Sequence, residues 1–269
     1  HETLAAESGG ERYLRKNGWL KLYRGDRSFA AQARELELAA QLGIANVPLD
    51  GEAARALEPS LNPVFRHAVH WTGAVSVSNP LALTRAYAAR FAALGGMTFS
   101  GDARSLHRAE PHWRVDTAWG PIEASDVVAA LGPWTPDLLD PLGIKLPLAV
   151  KRGYHRHFRP KGNAALSRPV LDAENGYCLA PMEQGIRLTT GAEFAARDAP
   201  PTPVQFERLM PAARELFPLG EAVEPQPWMG ARPCFADSRP VIGRAPQTRG
   251  LWLACGHGHW GLTLGPATG

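Results

Sequence analysis

A short apolar run that ends in a glycine-studded turn and then resumes as a helix start constrains this chain more than any other feature. Leu251-Trp252-Leu253-Ala254 leads into Cys255-Gly256-His257-Gly258-His259-Trp260-Gly261, followed by Leu262-Thr263-Leu264. Three glycines within six residues let a backbone turn sharply off a strand and approach a ligand closely. A helix start behind such a turn gathers free N–H groups and the positive end of a helix dipole, so it favours negative charge.

The remaining patterns alternate between strand and helix. Gly18 to Tyr23 reads as a strand, and Asp26 or Ser28 is expected to cap a helix over Phe29 to Leu42 that Gly43 stops. Asn79-Pro80 starts a second helix, Leu81 to Leu94, ended by Gly95-Gly96. Met97 to Phe99 is expected to be a short strand, and Trp113 to Thr117 to pair with Ile122 to Ala124. Val127 to Leu131 has the continuous apolar character of a buried parallel strand, closed by Gly132. From Lys151 to Phe158 the pattern alternates again, and the segments 176–181 and 186–190 read as a hairpin around Glu183-Gln184-Gly185. Thr202-Pro203 opens a last long helix, with Pro211 expected to kink or break it before Phe217. The class is α/β (α+β), with a mixed and largely antiparallel sheet.

Composition narrows the partners. A formal net charge of +3, dispersed and without a Lys/Arg block, excludes a nucleic-acid surface. No apolar run reaches the length of a membrane span, which leaves peripheral membrane association open. Cys178, Cys234 and Cys255 are too scattered for a disulfide framework, so a reducing cytoplasm is the expected compartment.

With Arg232-Pro233 and Arg239-Pro240-Val241-Ile242-Gly243 upstream of it, the terminal turn resembles the C-terminal signature of the FAD-dependent D-amino-acid oxidase and dehydrogenase family. Asp126 to Thr135 resembles the same family's second nucleotide-proximal strand and small-residue turn, with Leu131 where most relatives carry a glycine or alanine. The resemblance covers essentially the whole chain. It implies a substrate domain from residues 1–72 and 149–231, interleaved with part of a Rossmann-like flavin domain from 73–148 and 232–269. The family's opening G-x-G-x-x-G turn has no counterpart here, because Gly9-Gly10 follow no apolar strand. The chain is therefore expected to be a piece of a longer flavoenzyme.

Site residues follow from the chemistry that the resemblance implies. An amino-acid substrate presents a carboxylate, which a planar guanidinium binds with two parallel hydrogen bonds; Arg232 is the expected anchor. Tyr177 is expected to add a hydroxyl to that carboxylate and His155 to line the substrate pocket. Gly132, Gly256, His257, Gly258, His259, Trp260, Gly261, Leu262 and Thr263 are expected to hold the FAD. No catalytic side chain is nominated, since the cofactor carries the redox chemistry. The implied reaction is oxidative deamination of a D-amino acid, or a related small amino acid, to a 2-oxo acid. The electron acceptor is oxygen, a quinone or a carrier.

Two other chemistries are weaker fits. His155/His157 and His67/His70 have spacings that could hold zinc or copper, but no Cys or carboxylate partner stands at a recognisable interval. Cys234 lies near the position where distant relatives attach FAD through a thioether, in a sequence context that better matches the non-covalent branch. The competing reading of the whole chain is a stand-alone binding domain that needs a flavin domain from another chain.

Overall fold

The computed structural model describes all residues, 1–269. The fold is mixed α/β and is dominated by a ten-stranded sheet. Its strands run in the order Glu193–Phe194, Ala149–Pro160, Gly185–Thr190, Tyr177–Met182, Val170–Asp172, Trp19–Tyr23, His67–Trp71 and Val47–Asp50. Leu219–Ala222 and Trp228–Cys234 also pair with the long strand Ala149–Pro160. Only Val170–Asp172 against Trp19–Tyr23 is parallel; the other pairings of this sheet are antiparallel.

Side-chain alternation decides what each face of the sheet does. Tyr154, Phe158, Leu188, Tyr177, Leu179, Leu20 and Leu22 point to one face and pack against Phe206, Ala213 and Leu216 of the helix Val204–Leu216. Each large apolar side chain buried there contributes about 1.5–3 kcal/mol. That face is fixed by packing. The opposite face carries Lys151, Gly153 and His155 on the long strand, with Thr189 opposite His155 and Cys178 opposite Thr189 on the strand beyond.

A second, three-stranded sheet contains Val241–Arg244, Leu251–Cys255 and Val127–Ala129, the last two running parallel. One of its faces buries Leu251, Leu253 and Ala129 against Leu106, Trp113, Leu138 and Leu139. The expected parallel strand at 127 is thus paired with the apolar run that precedes the glycine turn, but it is shorter than expected and not buried on both faces: Val127–Ala129 is an edge strand whose Val128 is exposed. The helix Glu2–Ser8 packs on Pro80–Ala93 through Ala5, Tyr13 and Leu83, so the first helix sits with elements of the 73–148 segment instead of on the large sheet.

Three local expectations change. The helix after Gly25 is split into Asp26–Ala30 and Ala33–Gln41, where the Gln32 N–H turns back to the Phe29 carbonyl at 3.0 Å and the Gln32 side chain accepts from the Tyr23 hydroxyl at 2.6 Å. Asp26 does not cap it; its carboxylate is taken by His67 at 2.8 Å and Arg66 at 3.2 Å. Residues 97–99 form no strand, since no neighbouring strand pairs with them and Met97 is 73% exposed. The helix Val204–Leu216 runs through Pro211 without a break, its apolar face held by Phe206, Ala213 and Leu216. By contrast Asn79 caps Pro80–Ala93 as expected, accepting from the Ala82 N–H at 3.0 Å.

Candidate functional site

Because Leu251–Cys255 and Val127–Ala129 are parallel, their carboxyl ends open the same way, onto Gly256 and Gly132. Ligands of open α/β sheets sit outside those ends. Gly256 has φ 78°, and a Cβ on it would come within 2.1 Å of the Phe235 ring, so only glycine fits. Gly132 and Gly258 are also left-handed, at φ 56° and 58°. The helix Gly261–Thr268 follows, and Leu264 is the first residue to return a bond to the turn, to the Trp260 carbonyl at 2.8 Å. The N–H groups of Gly261, Leu262 and Thr263 are left without a backbone acceptor. These free donors, set behind a turn whose Gly256 and Gly258 carry no side chain, can receive an anionic or carbonyl edge.

Backbone bonds tie this turn to the strand that carries Arg232. Gly258 donates its N–H to the Pro233 carbonyl at 2.8 Å, and Cys234 and His257 form an isolated bridge. A cavity of about 520 Å³ opens between them, walled by the turn on one side and by Lys151, Thr189, Gly191 and Arg232 on the other. No Asp or Glu lines it.

Arg232 is half-buried in this wall. Its guanidinium lies over Gly153, where a Cβ would stand 2.1 Å from Nη2, and Nη1 donates to the Gly191 carbonyl at 2.8 Å. Burial pulls its pKa down, yet a guanidinium keeps its charge in proteins. The remaining N–H groups can grip a carboxylate. His259 packs against Trp260, the rings tilted by 39° with centres 4.4 Å apart. Partial burial, then the charges of Arg232 and Lys151, lower its pKa and favour the neutral ring. His257 turns the other way, its Nε2 meeting the Thr268 hydroxyl at 3.2 Å and tying the turn to the helix behind it.

Two expected substrate contacts are displaced. Tyr177 contributes only backbone to the cavity, because alternation sends its ring into the main core, where its hydroxyl donates to the Ala212 carbonyl at 3.0 Å. His155 lies on the open face but beyond the cavity lining, packed on Trp228 at 4.7 Å and His157 at 5.4 Å. Burial first, then Arg187 and His157, push its pKa down to about 4. Lys151, Gly153, Thr189 and Gly191 were not singled out from sequence. The signal for the first two was the alternation Lys151-x-Gly153-x-His155, which puts all three on one face.

The histidine pairs are occupied by protein contacts: His67 with Asp26, His70 with Asn17 and His157 with Glu224. No group of three or more His, Cys, Asp or Glu side chains converges. An apolar cleft of about 670 Å³ between Trp19, Trp71, Leu38 and Leu42 shares Trp260 with the first cavity, but offers no cation to a carboxylate. No helix is long and apolar enough to cross a membrane.

The model of the DAO family, described as FAD dependent oxidoreductase, matches residues 1–269. Glycine oxidase of Pseudomonas putida is 31% identical over 273 residues, covering 99% of this chain and 72% of that protein. A D-amino acid dehydrogenase of Cereibacter sphaeroides is also 31% identical, over 268 residues that cover 93% of this chain and 58% of the dehydrogenase. The crystal structure of glycine oxidase from Geobacillus kaustophilus superposes with a TM-score of 0.85 at 25% identity, over 99% of this chain and 72% of that one. The chain spans about three fifths to three quarters of the length of these relatives.

Proposed function

The chain belongs to the DAO family of FAD-dependent oxidoreductases, and on that premise we propose that its cavity is the substrate side of a site that oxidises a D-amino acid or a related small amino acid. The observation that carries this reading is the placement of Arg232, flat on Gly153 and facing the Gly256–Trp260 turn across one cavity. The two-part division, with 1–72 and 149–231 on the substrate side and 73–148 and 232–269 on the flavin side, belongs to the same proposal. The packing of Glu2–Ser8 on Pro80–Ala93 argues for moving that first helix to the flavin side.

FAD, when bound, accepts the hydride from the substrate Cα. This chain's residues do the positioning. Arg232 holds the carboxylate by charge-assisted bonds and thereby fixes which C–H bond faces the turn. The N–H groups of Gly261, Leu262 and Thr263, reinforced by the helix dipole, favour negative charge at the turn. Gly256 and Gly258 let the main chain of that wall approach closely, with His257, His259 and Trp260 beside them in the lining; Gly132 is the left-handed glycine after the paired strand. No Asp or Glu lines the cavity, and no role is assigned to a carboxylate base. An imine released from the site hydrolyses to a 2-oxo acid and ammonia.

The test is a panel of D-amino acids and glycine, assayed on the FAD-supplied protein with and without oxygen. Activity that survives without oxygen only when a quinone or carrier is added assigns the acceptor. Arg232→Ala should raise KM steeply; an unchanged KM for every carboxylate substrate removes Arg232 from this role. A second reading is favoured by the strand Val127–Ala129, which is paired on one edge only and leaves Val128 60% exposed. Here the chain is a binding unit whose flavin site is completed by another polypeptide. Purified protein that is yellow with bound FAD supports the first reading. Protein that binds FAD only after a second polypeptide is added supports the other.

A further inference from the structure

Lys151 stands directly opposite Arg232 in the register of Ala149–Pro160 against Trp228–Cys234, and both line the same cavity. Like charges directly opposite on paired strands repel. The usual remedy is an intervening carboxylate, yet the cavity lining contains neither Asp nor Glu, and Lys151 makes no ion pair or side-chain hydrogen bond. Its ammonium instead rests over the Phe194 ring at 5.6 Å. One substrate carboxylate, held by Arg232, leaves the charge of Lys151 uncompensated.

We propose that Lys151 is a specificity residue that binds a second acidic group, so that the site takes an amino acid carrying a side-chain carboxylate. This rests on the reading of Arg232 as the anchor of the α-carboxylate. Side chains opposite one another on paired strands start about 4.5–5.5 Å apart. With their stems rooted that close and both lining one cavity, the two flexible cations can reach the two carboxylates of one small ligand such as aspartate or glutamate. Thr189 and Gly191 leave the intervening wall small and polar. His259, held toward its neutral form by the same two cations, adds no third charge to the cavity.

The experiment is calorimetric titration of the FAD-supplied chain with D-aspartate, D-asparagine and D-alanine. D-Asparagine has nearly the size of D-aspartate without the second charge. D-Aspartate should bind at least about tenfold tighter than D-asparagine, the size expected for one charge-assisted pair. Lys151→Met, which keeps an apolar stem on Phe194, should abolish that ratio, and Lys151→Arg should preserve it. The wild-type preference should also shrink as sodium chloride rises toward about 1 M, a readout that needs no variant. Equal affinity for D-aspartate and D-asparagine, or a ratio untouched by Lys151→Met, overturns the assignment of Lys151 while leaving Arg232 in place. Binding of none of the three ligands removes the anchor reading itself, and this inference with it.

Discussion

The guanidinium of Arg232 rests on the α-carbon of Gly153, so close that a methyl group there would stand 2.1 Å from Nη2. Opposite Gly153 in the register is Gly230, whose missing side chain makes room for the Trp228 ring in the same way. The two glycines form a shallow trough across paired strands. Arg232 lies at one end of it, and its reach into the cavity is set by the backbone beneath.

Gly153→Ala should therefore act on binding more than on stability. The clash falls on the free end of an arginine, which can swing aside, so the melting temperature should change little. The displaced guanidinium loses its aim, and KM for carboxylate substrates should rise about tenfold. Steady-state kinetics with FAD supplied, set beside a thermal melt, separates the two effects.

Gly256→Ala should behave in the opposite way. The residue has φ 78° and its added Cβ would meet Phe235, which is 7% exposed and cannot move aside. A non-glycine residue in this backbone region costs about 1–3 kcal/mol before any clash is counted. Lower thermal stability together with weaker FAD binding, followed by quenching of flavin fluorescence, is the expected result.

Arg152, between Lys151 and Gly153, points to the other face and is 1% exposed. It pairs with Glu193 at 2.7 Å and donates to the Pro200 carbonyl at 3.0 Å, while Tyr154 also bonds Glu193 at 2.8 Å. Arg152→Met leaves the partly buried Glu193 carboxylate, 18% exposed, without its cation and strips the donor from the Pro200 carbonyl, which should cost about 1–3 kcal/mol. Urea unfolding with an unchanged slope and a lower midpoint would register it.

The stability of the fold should depend on pH through His155. Its folded pKa of about 4 lies below its ordinary 6.5, so the unfolded chain takes up the proton first as pH falls. The contribution is whole above pH 6.5 and is lost progressively down to about pH 4. His155→Phe, which keeps an aromatic ring against Trp228, should flatten the melting temperature across that window.

Periodicity and caps disclosed the elements that local chemistry decides. Asn79-Pro80 names its helix start, the hairpin around Glu183-Gln184 is written in its flanking alternation, and the apolar run at 127 announces a parallel strand, though not its place at a sheet edge with Val128 exposed. The glycine turn was legible because left-handed backbone leaves a compositional mark. What was hidden depended on partners distant in sequence. Tyr177 looks like a pocket residue until the helix Val204–Leu216 claims its hydroxyl, and Met97 to Phe99 looks like a strand until no neighbour pairs with it. Lys151 is unremarkable in the sequence, and only the register with Arg232 gives it a place in the cavity.

The bond from Gly258 to the Pro233 carbonyl, with the bridge between Cys234 and His257, joins the two walls of the cavity through main chain alone. Short of proline at position 258, no side-chain replacement deletes such a link. The distance between carboxylate anchor and turn is therefore shielded from mutational drift, while Lys151, Thr189 and Cys178 on the facing strands remain free to vary. A lineage built on this arrangement can exchange one substrate for another by altering those few positions, and keep the alignment of the reacting bond through every intermediate step.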